Sequence, residues 1–150
     1  MKLLLSRELH HLADTVALAE AVAPLLRSGG VLLLKGNLGA GKTTFVQALA
    51  RCYGVTRTVT SPTFTLANEY PMPDGSRLVH CDLYRLASPE GFYDLGLDEA
   101  LERGDRLAIE WPERATTVLD LEAPHRLVLT LELTATGLRK ATLVEEMISA

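Results

Sequence analysis

The sequence predicts an α/β fold, with a mixed parallel and antiparallel sheet flanked by helices. Three observations lead there. Val31-Leu32-Leu33-Leu34 is a short, wholly apolar run, as expected of a strand buried on both faces. A second apolar run, Leu107-Ala108-Ile109, comes after helical segments, in the manner of parallel strands joined by crossover helices. Two alternating segments near the end, 126–133 and 139–144, flank Thr136-Gly137 and read as an antiparallel hairpin.

Taken in order, Leu9, Leu12, Val16, Ala19, Ala23 and Leu26 recur at three- and four-residue steps and make one apolar helical face. Pro24 bends or shortens that helix, and Gly29-Gly30 ends it. The strand at 31–34 leads into a glycine-rich segment, and 43–52 reads as a helix with Phe45, Ala48 and Leu49 inward. Residues 58–69 hold a Ser-Pro turn and then a strand around 64–66. Pro71-Met72-Pro73-Asp74-Gly75 is a turn, with 77–84 as the returning strand. Short acidic helices fill 88–104, and 106–111 is a strand that carries Glu110 at its end. No repeat, linker or low-complexity tract divides the chain, so residues 1–150 are expected to form one domain.

Composition narrows the function. With 47% hydrophobic and 23% charged residues the chain has an ordinary globular balance. No stretch reaches the roughly 20 apolar residues needed to span a bilayer, and no secretory signal follows Met1-Lys2-Leu3-Leu4-Leu5. Cys52 and Cys81 form no metal-ligand pattern and are expected to be buried thiols of a reducing compartment. The expected location is the cytoplasm, with no membrane contact. A net charge of −4 argues against stable nucleic-acid binding by this chain alone. Residues 1–60 carry seven Lys/Arg against three Asp/Glu, and 90–122 carry three against ten; the acidic stretch is a solvated helical face or a partner-facing surface.

The chemistry concentrates at 36–44. Gly36-Asn37-Leu38-Gly39-Ala40-Gly41-Lys42-Thr43-Thr44 fits the phosphate-loop pattern G-x-x-x-x-G-K-[ST] without a mismatch. Chance delivers that pattern in roughly one chain of this length in 200, before the flanking strand and helix are counted. Gly36 and Gly41 permit a backbone path that a Cβ would obstruct. Backbone N–H groups then face an anion at a helix N-terminus. Lys42 places positive charge on the β- and γ-phosphates, and the Thr43 hydroxyl is suited to Mg²⁺. The implied ligand is a nucleoside triphosphate with Mg²⁺; without an Asn-Lys-x-Asp guanine motif, ATP is favoured over GTP.

Hydrolysis needs a carboxylate near the metal and a positioned water. Glu110 ends an apolar strand and is the first candidate, against a plain surface glutamate. Asp82 is the second. Alternation puts His80, Asp82 and Tyr84 on one strand face, which lines a site if the strand is internal and is merely solvated if it lies at the edge. A hydroxyl from Ser61 or Thr63, one helix after the loop, is placed to join the γ-phosphate or metal shell. His10 and His11 read as surface residues at a helix start. Trp111 reads as a packing residue that should report on the neighbouring site.

Four segments occur together and in order: 36–44, Ser-Pro-Thr-Phe-Thr-Leu at 61–66, His-Cys-Asp-Leu-Tyr-Arg-Leu at 80–86 and Ile-Glu-Trp-Pro-Glu at 109–113. Together they resemble the TsaE family of small bacterial ATPases over essentially the whole chain. The resemblance implies a P-loop nucleotide-binding fold and a role in forming threonylcarbamoyladenosine beside the anticodon of tRNA. It also implies action with TsaD and TsaB homologues, tRNA being reached indirectly through that complex. It makes Thr43 and Glu110 Mg²⁺ ligands, puts Lys42 on the phosphates, and places Asp82 and the Ser61–Thr63 loop in the hydrolytic centre. Family loops commonly begin Gly-Asp-Leu, whereas Asn37 here carries one charge fewer. Adenine contacts are not carried by these motifs. Two other functions share the loop: a nucleotide-switched binding module with negligible turnover, and a small-molecule kinase. The acidic stretch where a kinase would need an arginine-rich lid argues against the latter.

Overall fold

The computed structural model describes residues 1–37 and 39–149; Leu38, counted above in the phosphate loop, and Ala150 lie outside them. Strand β2 (Val31–Lys35) is central because every residue up to Leu34 is apolar and buried. Leu32 and Leu34 pack with one core, Val31 and Leu33 with another. A strand with no polar face needs a layer on each side.

One layer is α1 (Leu12–Val22) and α2 (Lys42–Cys52), whose Leu18, Val22, Phe45 and Leu49 are buried against Leu32 and Leu34. The other is α3 (Gly91–Asp94), α4 (Leu97–Glu102) and α5 (Thr116–Glu122), which bring Phe92, Leu97 and Leu119 to Val31 and Leu33. The remaining strands are β1 (Lys2–Leu9), β3 (Ala67–Pro71), β4 (Arg77–Asp82), β5 (Arg106–Glu110), β6 (His125–Leu133) and β7 (Arg139–Met147). The sheet order is β1-β7-β6-β2-β5-β4-β3. Strands β4, β5, β2 and β6 run parallel; β3, β7 and β1 pair antiparallel to their neighbours. The mixed α/β sheet and the C-terminal hairpin are those expected from the sequence, and Gly137 (φ +82°) sits in the hairpin turn.

Four local expectations are corrected. Leu9 is the last residue of β1, not the first of a helix, and β1 itself has no counterpart in the sequence-based expectation. At the sheet edge it leaves most of its side chains half-buried or exposed, so it lacks a clean period of two, and its order comes from pairing with β7. Residues 64–66 are not a strand. The Leu66 N–H donates to the Pro62 carbonyl at 2.7 Å, closing a turn that carries Leu66 to φ +66°, and β3 begins one residue later. The strand expected to reach residue 84 stops at Asp82, whose side chain accepts the Tyr84 N–H. Cys81 is buried as expected, but Cys52 is exposed; both thiols are free, and burial pushes the Cys81 thiol above its ordinary pKa. Helix α5 is likewise additional to the elements expected. Pro24 acts as anticipated: the α-helix stops at Val22 and passes into a 3-10 turn, Ala23–Leu25.

Candidate active site

Strand β2 ends at Lys35, and the chain turns through glycines into α2. At Gly36 (φ +156°) an added Cβ would lie 2.6 Å from the Leu131 carbonyl of β6, so the loop can pass β6 only without a side chain. Gly41 holds φ +100° as the N-cap of α2, a conformation costly for other residues. The first N–H groups of α2 have no intrahelical acceptor, so they are available to an anion at this end. Gly39 and Asn37 are exposed, Ala40 is buried and Thr43 is half-buried in the first helical turn.

The strand register brings the acids to the loop. Leu34 of β2 is level with Glu110 of β5, and Glu110 is level with Asp82 of β4. Leu34 points to the α1–α2 side, so Glu110, Asp82 and, two residues earlier, His80 face α2, which begins with Lys42. Strand β4 lies between β5 and β3, so its polar face is internal rather than at the sheet edge. His80 is 0% exposed, Glu110 4%, Lys42 6% and Asp82 8%.

Such burial would be prohibitive for isolated charges, and the geometry shows how it is offset. The Lys42 ammonium donates to the Gly36 carbonyl at 2.6 Å, lies 3.9 Å from Glu110 Oε1 and sits 4.3 Å from the centre of the Trp111 ring. The second oxygen of Glu110 accepts from His80 Nε2 at 2.6 Å. His80 Nδ1 has no partner among the described residues, so the ring proton belongs on Nε2, where it holds the carboxylate. The Trp111 backbone adopts φ +56°, a left-handed conformation costing about 1–3 kcal/mol that concentrates at functional sites. Its ring is braced 5.0 Å from that of Tyr84. Trp111 is half-exposed and lies against Lys42 as well as Tyr84.

The remaining candidates are less engaged. The Asp82 N–H donates to the Leu66 carbonyl at 2.9 Å, tying the 60–66 loop to the end of β4. Within that loop Ser61 Oγ and Thr63 Oγ1 bond each other at 2.7 Å, and neither bonds Lys42, Asp82 or Glu110. His10 and His11 are exposed at the start of α1 as expected, and their backbone N–H groups donate to Asp14. Sequence reasoning places His80 on the correct face but gives it no role. An imidazole two residues before an acid on an internal strand is the signal that marks it.

The arrangement suits Mg²⁺. Among the described residues no group of three His, Cys, Asp or Glu could hold a metal, whereas Mg²⁺ needs only one or two protein oxygens beside phosphate and water. Thr43, half-buried in the first turn of α2, and Glu110, buried at the end of β5, are oxygen-bearing side chains of the kind such a site uses. A cleft of about 650 Å³ lined by Gly30, Val31, Arg126 and Leu127 lies at the opposite end of β2 and β6. Ligands of open α/β sheets bind at the carboxyl ends of the strands instead.

A glycine loop between a buried strand and a helix, faced by a carboxylate at the end of the neighbouring parallel strand, is the arrangement of the phosphate-loop class of folds. The family model described as threonylcarbamoyl adenosine biosynthesis protein TsaE matches residues 9–142. The chain belongs to the TsaE family. It is 43% identical over 129 residues to the tRNA threonylcarbamoyladenosine biosynthesis protein TsaE of Aquifex aeolicus, covering 85% of this chain and 86% of that one. The protein of the same name from Treponema pallidum is 40% identical over 129 residues, 86% and 92% of the two chains. Among solved structures, that of Bacillus subtilis YdiB superposes with a TM-score of 0.74 at 30% identity, over 98% of this chain and 88% of that one.

Proposed function

We propose that this protein is a Mg²⁺-dependent ATPase that supports the formation of threonylcarbamoyladenosine in tRNA. It works in the cytoplasm and acts on a complex of TsaD and TsaB homologues that holds the tRNA. The observation that carries the reading is the buried line Gly36 carbonyl–Lys42–Glu110–His80 at the mouth of the phosphate loop. Buried charge of this kind is weak evidence for stability and fits a site whose partner is a phosphate.

In this mechanism the triphosphate lies in the loop, where N–H groups of Gly41 and the first turn of α2 donate to its oxygens. Lys42 exchanges the Gly36 carbonyl for β- and γ-phosphate oxygens while remaining within reach of Glu110. Thr43 and Glu110 would hold Mg²⁺, which would supply positive charge against the charge that develops on the phosphate oxygens. His80 fixes one oxygen of Glu110 so that the other is presented in one orientation. Water attacks the γ-phosphorus in line with the departing ADP, oriented by Asp82 and by Thr63, with Ser61 as its hydroxyl partner. Trp111 covers Lys42 and excludes bulk water from its ammonium.

The small-molecule kinase is disfavoured by position. The acidic elements α3, α4 and α5 pack on the core opposite α2, away from the phosphate loop, and supply no lid. The deciding measurement is phosphate release from ATP by this protein alone and with the TsaD and TsaB homologues. Strong stimulation by the pair is expected. An assembled complex without stimulation would make the chain a nucleotide-switched binding module instead.

A further inference from the structure

Resting on the ATPase reading above, we infer that Gln47 and Tyr70 are positioning residues for hydrolysis. Together they clamp the peptide between Val59 and Thr60, and so fix where the turn that follows presents the Thr63 hydroxyl to the attacking water.

Residues 53–66, between α2 and β3, form no helix or strand. One peptide unit among them is held by side chains at both of its polar groups. Its carbonyl, on Val59, accepts the Gln47 side-chain amide at 3.0 Å. Its N–H, on Thr60, donates to the Tyr70 hydroxyl at 3.1 Å, which has the Thr60 carbonyl 3.5 Å away as its own acceptor. The two clamping side chains come from different elements, Gln47 from α2 and Tyr70 from β3. Val59 and Tyr70 are buried in the core under α2, and Gln47 is half-buried. A loop peptide at the surface loses little by bonding water instead. Here two side chains are committed to one plane, and a plane held at both polar groups does not rotate.

The clamp acts on Thr63 because little freedom lies between them. Ser61 precedes a proline, which keeps it extended, and the Pro62 ring fixes its own φ at about −65°. The orientation of the Val59–Thr60 plane is therefore carried to Thr63 through few free torsions. Beyond Thr63 the chain is closed again, by the Leu66 N–H on the Pro62 carbonyl at 2.7 Å and the Asp82 N–H on the Leu66 carbonyl at 2.9 Å. Gln47 also stands one helical turn after Thr43, at the i, i+4 spacing that puts two side chains on one helix face. Helix α2 thus opens on the phosphate-binding residues and, one turn later, holds the segment that carries the hydroxyls. With either bond cut, Thr63 stays in the molecule but loses its fixed position, and a displacement of about 1 Å is enough to slow a reaction.

The test is steady-state phosphate release by the full chain with the TsaD and TsaB homologues, together with calorimetric titration with ADP and Mg²⁺. Tyr70→Phe removes only the hydroxyl and Gln47→Met only the donor, so a folding loss in one leaves the other to decide. Each is expected to lower kcat about 10-fold. KM for ATP and the affinity for ADP are expected to stay within about twofold of wild type, the pattern of an interaction made only in the transition state. Gln47→Lys, which keeps a donor, is expected to recover most of the loss. In a Thr63→Ala background Tyr70→Phe is expected to lower kcat no further, because the clamp works through that hydroxyl. Wild-type kcat in both Tyr70→Phe and Gln47→Met would overturn the inference. So would an equal loss of ADP affinity, which would make the clamp a support of the phosphate loop, or losses that multiply in Thr63→Ala, which would make it a structural tie. A wild type that releases no phosphate would instead remove the ATPase reading, and the role of the clamp with it.

Discussion

The two flanks of the phosphate loop are built on opposite principles. Toward β5 and β4, Lys42, Glu110, His80 and Asp82 are all at most 8% exposed, and the first three are joined through short contacts. Toward the 60–66 turn, Ser61 and Thr65 are exposed, Thr63 is half-buried, Phe64 is 85% exposed, and the hydroxyls of Ser61 and Thr63 bond each other. The first flank is preorganised: its geometry is set when the chain folds, and it carries the cost of buried charge. The second is tethered to Asp82 through one backbone bond and presents its hydroxyls to solvent. The proposed metal and phosphate contacts fall on the first flank. The 60–66 turn is where a γ-phosphate or a partner has room to act.

Substitutions can break this contrast, beginning with the largest effect. Glu110→Gln is expected to lower phosphate release at least about 100-fold, since metal positioning contributes several kcal/mol to the transition state, while calorimetry still detects ADP. Lys42→Ala should be comparably inactive, with circular dichroism showing an intact fold. Wild-type-like hydrolysis by Glu110→Gln would take Glu110 out of the mechanism.

His80→Ala separates holding the carboxylate from merely filling space. Turnover is expected to fall about 10- to 100-fold, as when a residue orienting a metal ligand is lost. Urea unfolding should register a loss of roughly 1–3 kcal/mol. His80→Asn, which restores a donor, should recover part of the turnover; no recovery would leave His80 a packing residue.

Thr63→Ala sharpens the exposed side of the comparison. Phosphate release should fall about tenfold if one hydrogen bond to the attacking water is lost, with stability unchanged within roughly 0.5 kcal/mol. A large stability loss would show that this turn is as structural as the buried flank.

The smallest effect lies outside the site. Backbone N–H groups of His10 and His11 hold the Asp14 carboxyl below its ordinary value of 3.8. A depressed folded value stabilises above the unfolded pKa, and the contribution disappears as pH falls through the folded one. Asp14→Asn should therefore flatten the acid side of the melting curve against pH and converge with wild type at the lowest pH.

What the residues reveal depends on how local the cause is. The phosphate loop is legible because its glycines, lysine and threonine answer to the backbone path of one turn. Strand β2 is legible because four consecutive apolar residues between glycines are too short for a buried helix and suit a strand covered on both faces. Glu110 and Asp82 are recognisable as polar residues on strands, but whether they meet Lys42 depends on β5 lying between β2 and β4. Strand β1 and the true start of α1 escape a reading of the sequence because an edge strand is held by a partner well over a hundred residues away.

The amino-acid order by itself determined the class of fold, the phosphate loop and the acids available to it, because periodicity, glycine spacing and side-chain chemistry act over a few residues. Only the tertiary structure decided that Lys42, Glu110 and His80 form one buried line and that Trp111 lies against it. Those pairings join residues from 30 to 69 positions apart, and strand order and register, unlike local propensity, are settled by how two apolar layers close over one sheet.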